Sequence, residues 1–266
     1  MNYETIVVER AGATMTVTLN RPAKLNAINT QVTEEFAHLF AELREDIDTR
    51  FVIFTGAGRA FSAGADLTDP ARERRHGGPE SARVARSGQL RGHDFIRNLE
   101  SLEQITIAAV NGLSLGAGLV LPMGCDFRIA STNARFGIPE ANVGIFFTWG
   151  STPRLVSIIG AAKTKEMIMT CDMIDAEEAL RIGLVNKVVP PEQLMEAAHE
   201  LVSKISSKAP LAIRITKKIV NAAVASNFGD LYICEPELVE RLYLSQDPEE
   251  GTRAFREKRP PRFTGI

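Results

Sequence analysis

Two short apolar runs, each ending in a cluster of small residues, most constrain how this chain folds. The first, Phe51-Val-Ile-Phe-Thr55, is β-branched and aromatic and reads as a buried strand. It leads into Gly56-Ala-Gly-Arg-Ala-Phe-Ser-Ala-Gly-Ala-Asp-Leu67. Gly56, Gly58 and Gly64 open backbone angles that other residues avoid, and the small Ser62, Ala63 and Ala65 let a ligand approach the main chain. The second run, Ile105-Thr-Ile-Ala-Ala-Val110, leads into Asn111-Gly-Leu-Ser-Leu-Gly-Ala-Gly-Leu-Val120, with a helix expected to begin near Gly116. Backbone N–H groups at a helix start have no intrahelical partner, and the helix dipole there favours negative charge. Two strand ends that each offer an N–H can converge on one oxygen. The chemistry that uses such a pair is formation of an enolate or oxyanion from a thioester. The structural alternative is a pair of tight turns whose glycines serve only the fold.

Composition narrows the class. The chain has 266 residues, 44% hydrophobic and 24% charged, which fits one large domain with a C-terminal appendage. A net charge of −2 supplies no global basic field for nucleic acid. Cys125, Cys171 and Cys234 are far apart, without metal-ligand spacing, and read as reduced core residues. No apolar run reaches the roughly 20 residues that span a bilayer. The N-terminal Met1-Asn-Tyr-Glu-Thr5 is not patterned like a signal peptide, so a cytoplasmic location is expected.

Along the chain, Thr5-Ile-Val-Val-Glu-Arg10 and Met15-Thr-Val-Thr-Leu19 read as a hairpin around residues 11–14. Phe36, Leu39, Phe40 and Leu43 recur at helical spacing, and strands and helices then alternate, which predicts an α/β layered fold. Residues 68–90 break that rhythm. Their first half, with Arg72, Arg74, Arg75 and Pro70, Gly77, Gly78 and Pro79, reads as a mobile loop, either a lid whose arginines (with Arg83 and Arg86) meet phosphates or a solvated charged loop. Asp175 through Gly183 predicts a short helix, with Asp175 as cap, Glu178 completing a capping box and Gly183 closing it. From Pro191 the chain reads as mostly helical. Asp247-Pro-Glu-Glu250 predicts one more helix, with Asp247 as cap and Pro248 at the first position.

Several motifs together resemble one family. They are Asn20-Arg-Pro-Ala-Lys-Leu-Asn-Ala-Ile-Asn29, Ala60-Phe-Ser-Ala-Gly-Ala-Asp-Leu67, Ala108-Ala-Val-Asn-Gly112 with Gly116-Ala-Gly118, Cys125-Asp-Phe-Arg-Ile-Ala130, Phe136-Gly-Ile-Pro-Glu140 and the ending Lys258-Arg-Pro-Pro-Arg-Phe-Thr-Gly265. In that order, over nearly the whole chain, they resemble the enoyl-CoA hydratase/isomerase (crotonase) superfamily. The resemblance implies an α/β spiral of repeated ββα units: a core over residues 1–190 carrying the CoA and acyl site, then a helical region over residues 191–266 used in oligomerisation. It implies an acyl-CoA thioester substrate, no cofactor beyond the CoA moiety, no nucleic-acid or membrane partner, and a homotrimer or hexamer.

The resemblance also assigns roles. The oxyanion-hole donors fall on the backbone N–H groups of Ala65 and Ala117; relatives often have glycine where Ala117 stands, and a backbone donor survives that change. Lys24, Leu25, Ala27, Ala63, Asp66 and Leu67 match positions that line CoA, although Lys24 reads equally as a solvated lysine and Asp66 as a turn cap. Glu140 matches one of two glutamates that flank the substrate double bond in hydratases; the structural alternative is an acid at a helix start after Pro139. The second glutamate falls on position 120, which here is Val120. A valine neither holds a water nor moves a proton, so this chain resembles single-glutamate members such as Δ3,Δ2-enoyl-CoA isomerases. Thr148, where some relatives place an aspartate, and Phe146, Phe147 and Trp149 border the expected acyl pocket. Other chemistries on the same oxyanion hole are hydrolysis, decarboxylation or C–C bond cleavage, and a non-catalytic RNA-binding module is the rival from outside enzymology.

Overall fold

The computed structural model describes residues 2–70, 79–225 and 229–264. Its centre is two sheets in which most strand pairs are parallel. The larger has strand order β1-β2-β3-β5-β7-β10, from β1 (Ile6–Ala11), β2 (Thr14–Leu19), β3 (Phe51–Gly56), β5 (Ile105–Val110), β7 (Phe127–Ser131) and β10 (Lys187–Val189). The smaller has order β4-β6-β8-β9, from β4 (Ala60–Ser62), β6 (Leu113–Leu115), β8 (Arg135–Gly137) and β9 (Ile174–Asp175). Each long apolar strand of the first sheet is followed by a short strand of the second: β3 by β4, β5 by β6, β7 by β8. This is the expected spiral of ββα units. Among the described residues only the β1–β2 hairpin and the β8–β9 pair run antiparallel.

Periodicity accounts for most elements. β5 is buried at all six positions, as its mostly apolar run requires of a central parallel strand; its one polar residue, Thr106, donates its N–H and hydroxyl to Asp126. The helix Thr30–Glu45 buries Val32, Phe36, Leu39, Phe40 and Leu43, and Asn29 caps it by accepting from Val32 N–H at 2.9 Å. The one charge on that buried face, Glu35, accepts N–H bonds from Glu4, Thr5 and Ile6 and the Thr5 hydroxyl. Burial alone would raise its pKa, but those bonds outweigh burial and hold the carboxyl below its usual value. The helical spacing of Phe36 to Leu43 thus falls inside a helix, and the hairpin expected around residues 11–14 turns there, with Gly12 at φ +59°.

Three expectations need correction. The break in the strand–helix rhythm does not reach Leu90: a helix runs Pro79–Glu100 and takes in the second half of that segment. Its cleft-facing residues include Ala85, Gly88 and Gly92, which are too small to register as an apolar stripe. Arg86 bonds Glu237 at 2.6 Å, and Arg72, Arg74 and Arg75 lie outside the described residues. In the helix Ala176–Arg181, Asp175 caps Glu178 N–H at 2.8 Å as expected, but the Glu178 carboxylate turns to Arg181 and Lys163, leaving the capping box half made. The helix Asp247–Glu257 has Gln246 at its cap position, because the Asp247 carboxylate accepts from Thr264 N–H instead.

After Pro191 the regular elements are helices Leu194–Ser206, Pro210–Ala225, Gly229–Leu242 and Asp247–Glu257. Helix Pro210–Ala225 is tied to the larger sheet by buried Lys217, which donates to Gln104 O at 2.7 Å and to Asp126 Oδ2 at 2.8 Å. Its outer face leaves Leu211, Ile215, Ile219 and Val220 exposed. Among the described residues no helix is long and apolar enough to cross a membrane. Cys125 is buried, and that burial, with Asp126 nearby, pushes its thiol up to about 12; Cys171 is only half-buried, at the end of a surface helix, so the core reading does not extend to it.

Candidate active site

The two glycine-rich strand ends meet. Ile28 N–H donates to Gly64 O at 2.7 Å and Asp66 N–H donates to Ile28 O at 2.8 Å, forming a parallel bridge opposite Ala65. That pattern uses the groups on either side of Ala65, so the N–H of Ala65 itself faces away from Ile28. Gly64 has φ +96°, and a methyl added to it would stand 2.8 Å from Leu115 O and 3.8 Å from Ala117 N. Only glycine allows this approach. Ala117 opens the helix Ala117–Gly124, where its N–H is one of the donors without an intrahelical acceptor. Gly116 precedes it at φ +47° and donates its own N–H to Gly137 O at 3.0 Å.

Glu140 reaches the same place from another element. It sits in the 3₁₀ turn Pro139–Val143, which follows β8 and closes with Gly144 at φ +71°. Its carboxylate packs on the Cα of Gly116: an added methyl there would collide with Oε1 and stand 3.0 Å from Cδ. Ala65, Ala117, Glu140 and Thr148 line one cleft together with Val120, which is buried. The cleft continues between helix Pro79–Glu100, through Ala85, Gly88 and Gly92, and Val239, Leu242 and Tyr243 of the C-terminal part. Phe147 and Trp149 line it as well; Phe146 does not.

The six residues matched to CoA lie beside the cleft and not in its wall. Lys24 is exposed, Leu25, Ala27, Ala63 and Leu67 are half-buried, and Asp66 is buried. They form one surface because their loops are stitched together. Ala63 N–H donates to Leu25 O at 2.9 Å, and the Asn26 amide donates to Ala57 O and Ala60 O at 2.9 and 2.8 Å. Leu25 and Asn26 adopt positive φ to make that fit. Asp66 accepts from Thr68 N–H, from the Thr68 hydroxyl and from Arg21. Burial works against its charge, but the Thr68 and Arg21 bonds prevail and hold its carboxyl below the usual range.

Two further features escape a reading of the sequence. Asp69 is a second cleft carboxylate, with Oδ2 accepting from Thr30 N–H at 2.7 Å and its hydroxyl at 2.8 Å. Nothing local to Asp69 announces a partner so distant in the chain. The other feature is a buried pair: His93 Nε2 lies 2.7 Å from Glu235 Oε2, which also accepts from Gly150 N–H at 2.7 Å. This pins the backbone next to Trp149, which has φ +62° and packs near Phe95 at 5.9 Å between ring centroids. Gly92 leaves the space that the Trp149 ring fills. Glycines four apart at positions 88 and 92 are the one sequence signal for this close approach. Among the described residues no group of three His, Cys, Asp or Glu is placed to hold a metal ion.

Residues 9–265 match the family model described as enoyl-CoA hydratase/isomerase. A short-chain-enoyl-CoA hydratase of Clostridium acetobutylicum is 39% identical over 97% of both chains. A crotonyl-CoA hydratase of Syntrophomonas wolfei is 37% identical over 99% of both. The solved structure of an enoyl-CoA hydratase from Mycobacterium avium subsp. paratuberculosis superimposes with a TM-score of 0.87 at 25% identity, covering 99% of this chain and 100% of that one. The family model matches residues 9–265 and the relatives align over almost the full length, so this chain belongs to the enoyl-CoA hydratase/isomerase family and is an enzyme of hydratase/isomerase type.

Proposed function

We propose that the chain acts on enoyl-CoA thioesters through one mobile proton, carried by Glu140, with the thioester oxygen held between the N–H groups of Ala65 and Ala117. The observation that carries this reading is the packing of the Glu140 carboxylate on Gly116, the residue immediately before the Ala117 donor. A base and an oxyanion donor set so close together suit removal of a proton α to a thioester. Starting from a 3-enoyl-CoA, Glu140 takes the C2 proton and the negative charge spreads to the thioester oxygen and C4. Glu140 then returns the proton to C4, and the double bond has moved to C2. Val120 borders this space, and its apolar side chain supplies no second carboxylate to activate a water. The CoA portion lies along the surface of Lys24, Leu25, Ala27, Ala63, Asp66 and Leu67, and Thr148 and Trp149 border the acyl end.

A second reading is hydration of 2-enoyl-CoA, favoured by the two relatives named as hydratases. A panel of 2-enoyl, 3-enoyl and 3-hydroxyacyl CoA thioesters, followed by mass spectrometry, separates the readings. The expected outcome is conversion of 3-enoyl to 2-enoyl, with Val120→Glu raising hydration of crotonyl-CoA above that of the parent. The gain is modest, because a carboxylate placed beside Glu140 in an apolar wall favours protonation of one of the two. Parental hydration of crotonyl-CoA with kcat/KM in the roughly 10⁴–10⁸ M⁻¹s⁻¹ range of efficient enzymes overturns the single-glutamate reading.

We also propose a cytoplasmic homotrimer or hexamer, with the helical region over residues 191–266 as its assembly face. The exposed Leu211, Ile215, Ile219 and Val220 on one helix support this, since such an apolar patch is unusual on a monomer. Light scattering coupled to gel filtration is expected to give three or six times the 29.1 kDa chain mass, and a monomer at micromolar concentration sinks the idea.

A further inference from the structure

The last helix, Asp247–Glu257, contributes no residue to the cleft wall among the described residues, yet it touches both of the elements that build the site. Its first contact is with the turn that carries Glu140. A methyl added to Gly251 would stand 2.5 Å from Val143 O and 2.7 Å from Val143 Cα. From the other side, a methyl on Gly144 would stand 2.5 Å from Asp247 O and 2.7 Å from its carbonyl carbon. Helix and turn therefore interlock backbone to backbone through two glycines. Gly251 lies inside a helix, where alanine is favoured over glycine by roughly 0.5–1 kcal/mol, so helix propensity does not explain its presence; close approach does.

Its second contact is with the loop that carries Ala65: Arg256 donates to Leu67 O at 3.1 Å. The helix is itself held in place. Glu250, 8% exposed, accepts from Arg253 at 2.6 Å, from Arg259 at 2.6 and 3.0 Å and from Arg262 N–H at 2.9 Å. Asp247 accepts from Thr264 N–H at 2.8 Å. The chain after the helix thus folds back and locks it.

We infer that helix Asp247–Glu257 is a positioning brace: Gly251 and Gly144 set the height of the turn Pro139–Val143, and with it the place of the Glu140 carboxylate against Gly116, while Arg256 ties the same helix to the loop carrying Ala65. The inference rests on Glu140 being the base. Because a misplacement of about 1 Å at a reacting group can cost on the order of 100-fold, a small shift of the turn is enough to be read in the rate.

The test uses the full-length enzyme on its best CoA thioester. Gly251→Ala is expected to lower kcat about 10- to 100-fold with KM within about threefold of the parent. Far-ultraviolet circular dichroism should match the parent, and the pH–rate profile should shift as the carboxylate changes surroundings. Glu249→Ala, on an exposed position of the same helix, should leave kcat within about twofold of the parent. A folded Gly251→Ala enzyme with parental kcat overturns the inference. Arg256→Met covers the case in which Gly251→Ala does not fold: a roughly 3- to 10-fold loss of kcat with an unchanged melting temperature supports the brace, and an unchanged kcat refutes it. A double-mutant cycle separates this inference from the reading beneath it. In a Glu140→Gln background, Gly251→Ala should add less than about twofold to the loss; a further tenfold loss shows that the helix acts elsewhere. If Glu140→Gln alone retains parental activity, the assignment of the base has failed, and the brace with it.

Discussion

Glu140→Gln is expected to lower kcat on the preferred enoyl-CoA by about 10²- to 10⁴-fold, the usual contribution of a positioned general base. The amide has nearly the shape of the carboxylate, so packing against Gly116 is kept and KM should change only a few-fold. What is lost is the ability to accept and return a proton. Steady-state kinetics on the substrate found by the thioester panel, with a melting curve to show that the variant is folded, checks the expectation. The structure also says where to look if activity survives. Asp69 is the other carboxylate in the cleft wall among the described residues, and its Oδ2 is engaged by the Thr30 N–H and hydroxyl. Parental kcat in Glu140→Gln together with a large loss in Asp69→Asn would move the base to Asp69.

Gly116→Ala is expected to be at least as damaging, with a loss of about 10³-fold or more in kcat/KM, because one methyl disturbs two functions. The added carbon falls on Glu140 Oε1 and within 3.0 Å of Cδ, so the carboxylate has to leave its position. Residue 116 is also at φ +47° and ψ −122°, a conformation that side chains rarely adopt. Relief of that strain rotates the peptide that leads into Ala117 and takes its N–H off the oxyanion position. Loss of one such donor alone has cost about 10²–10³ in kcat in a different enzyme. The strain adds a stability loss of roughly 1–3 kcal/mol, visible as a lower Tm. A folded Gly116→Ala enzyme within tenfold of the parent, with Glu140 unmoved in a crystal structure, would show that the carboxylate's contact with residue 116 is incidental.

Much of this architecture is set by residues close together in the chain. The largely apolar β5, the hairpin turn within residues 11–14 and the start of a helix after Gly116 all depend on neighbours a few positions away. Pattern and propensity act at that range, so these elements are legible in order. The runs around Ala65 and Ala117 are legible too, because in each small residues and glycines follow one another, whereas Glu140 is picked out only by the resemblance of Phe136-Gly-Ile-Pro-Glu140 to the family motif.

What lies beyond the sequence's reach is fixed by contacts between distant segments. The strand–helix rhythm of the sequence is broken up to Leu90 although helix Pro79–Glu100 begins well before it, because the helix's cleft face is alanine and glycine, and the Trp149 ring filling the space left by Gly92 explains why that face is small. Glu178 and Asp247 satisfy local capping rules on paper but turn to Lys163, Arg181 and Thr264, which offer charge or a bare N–H at better geometry. The Thr30–Asp69 bond, the His93–Glu235 pair and the interlock of Gly251 with Val143 have no counterpart in any local pattern. The chain by itself determined most of its order of strands and helices and the two glycine-rich runs after β3 and β5, and its resemblance to a family pointed to Glu140 as the carboxylate beside them. The tertiary structure alone decided that the carboxylate rests on Gly116 and that the last helix holds it there, because both depend on backbone approaching backbone across the fold, where a single methyl decides whether two segments can meet.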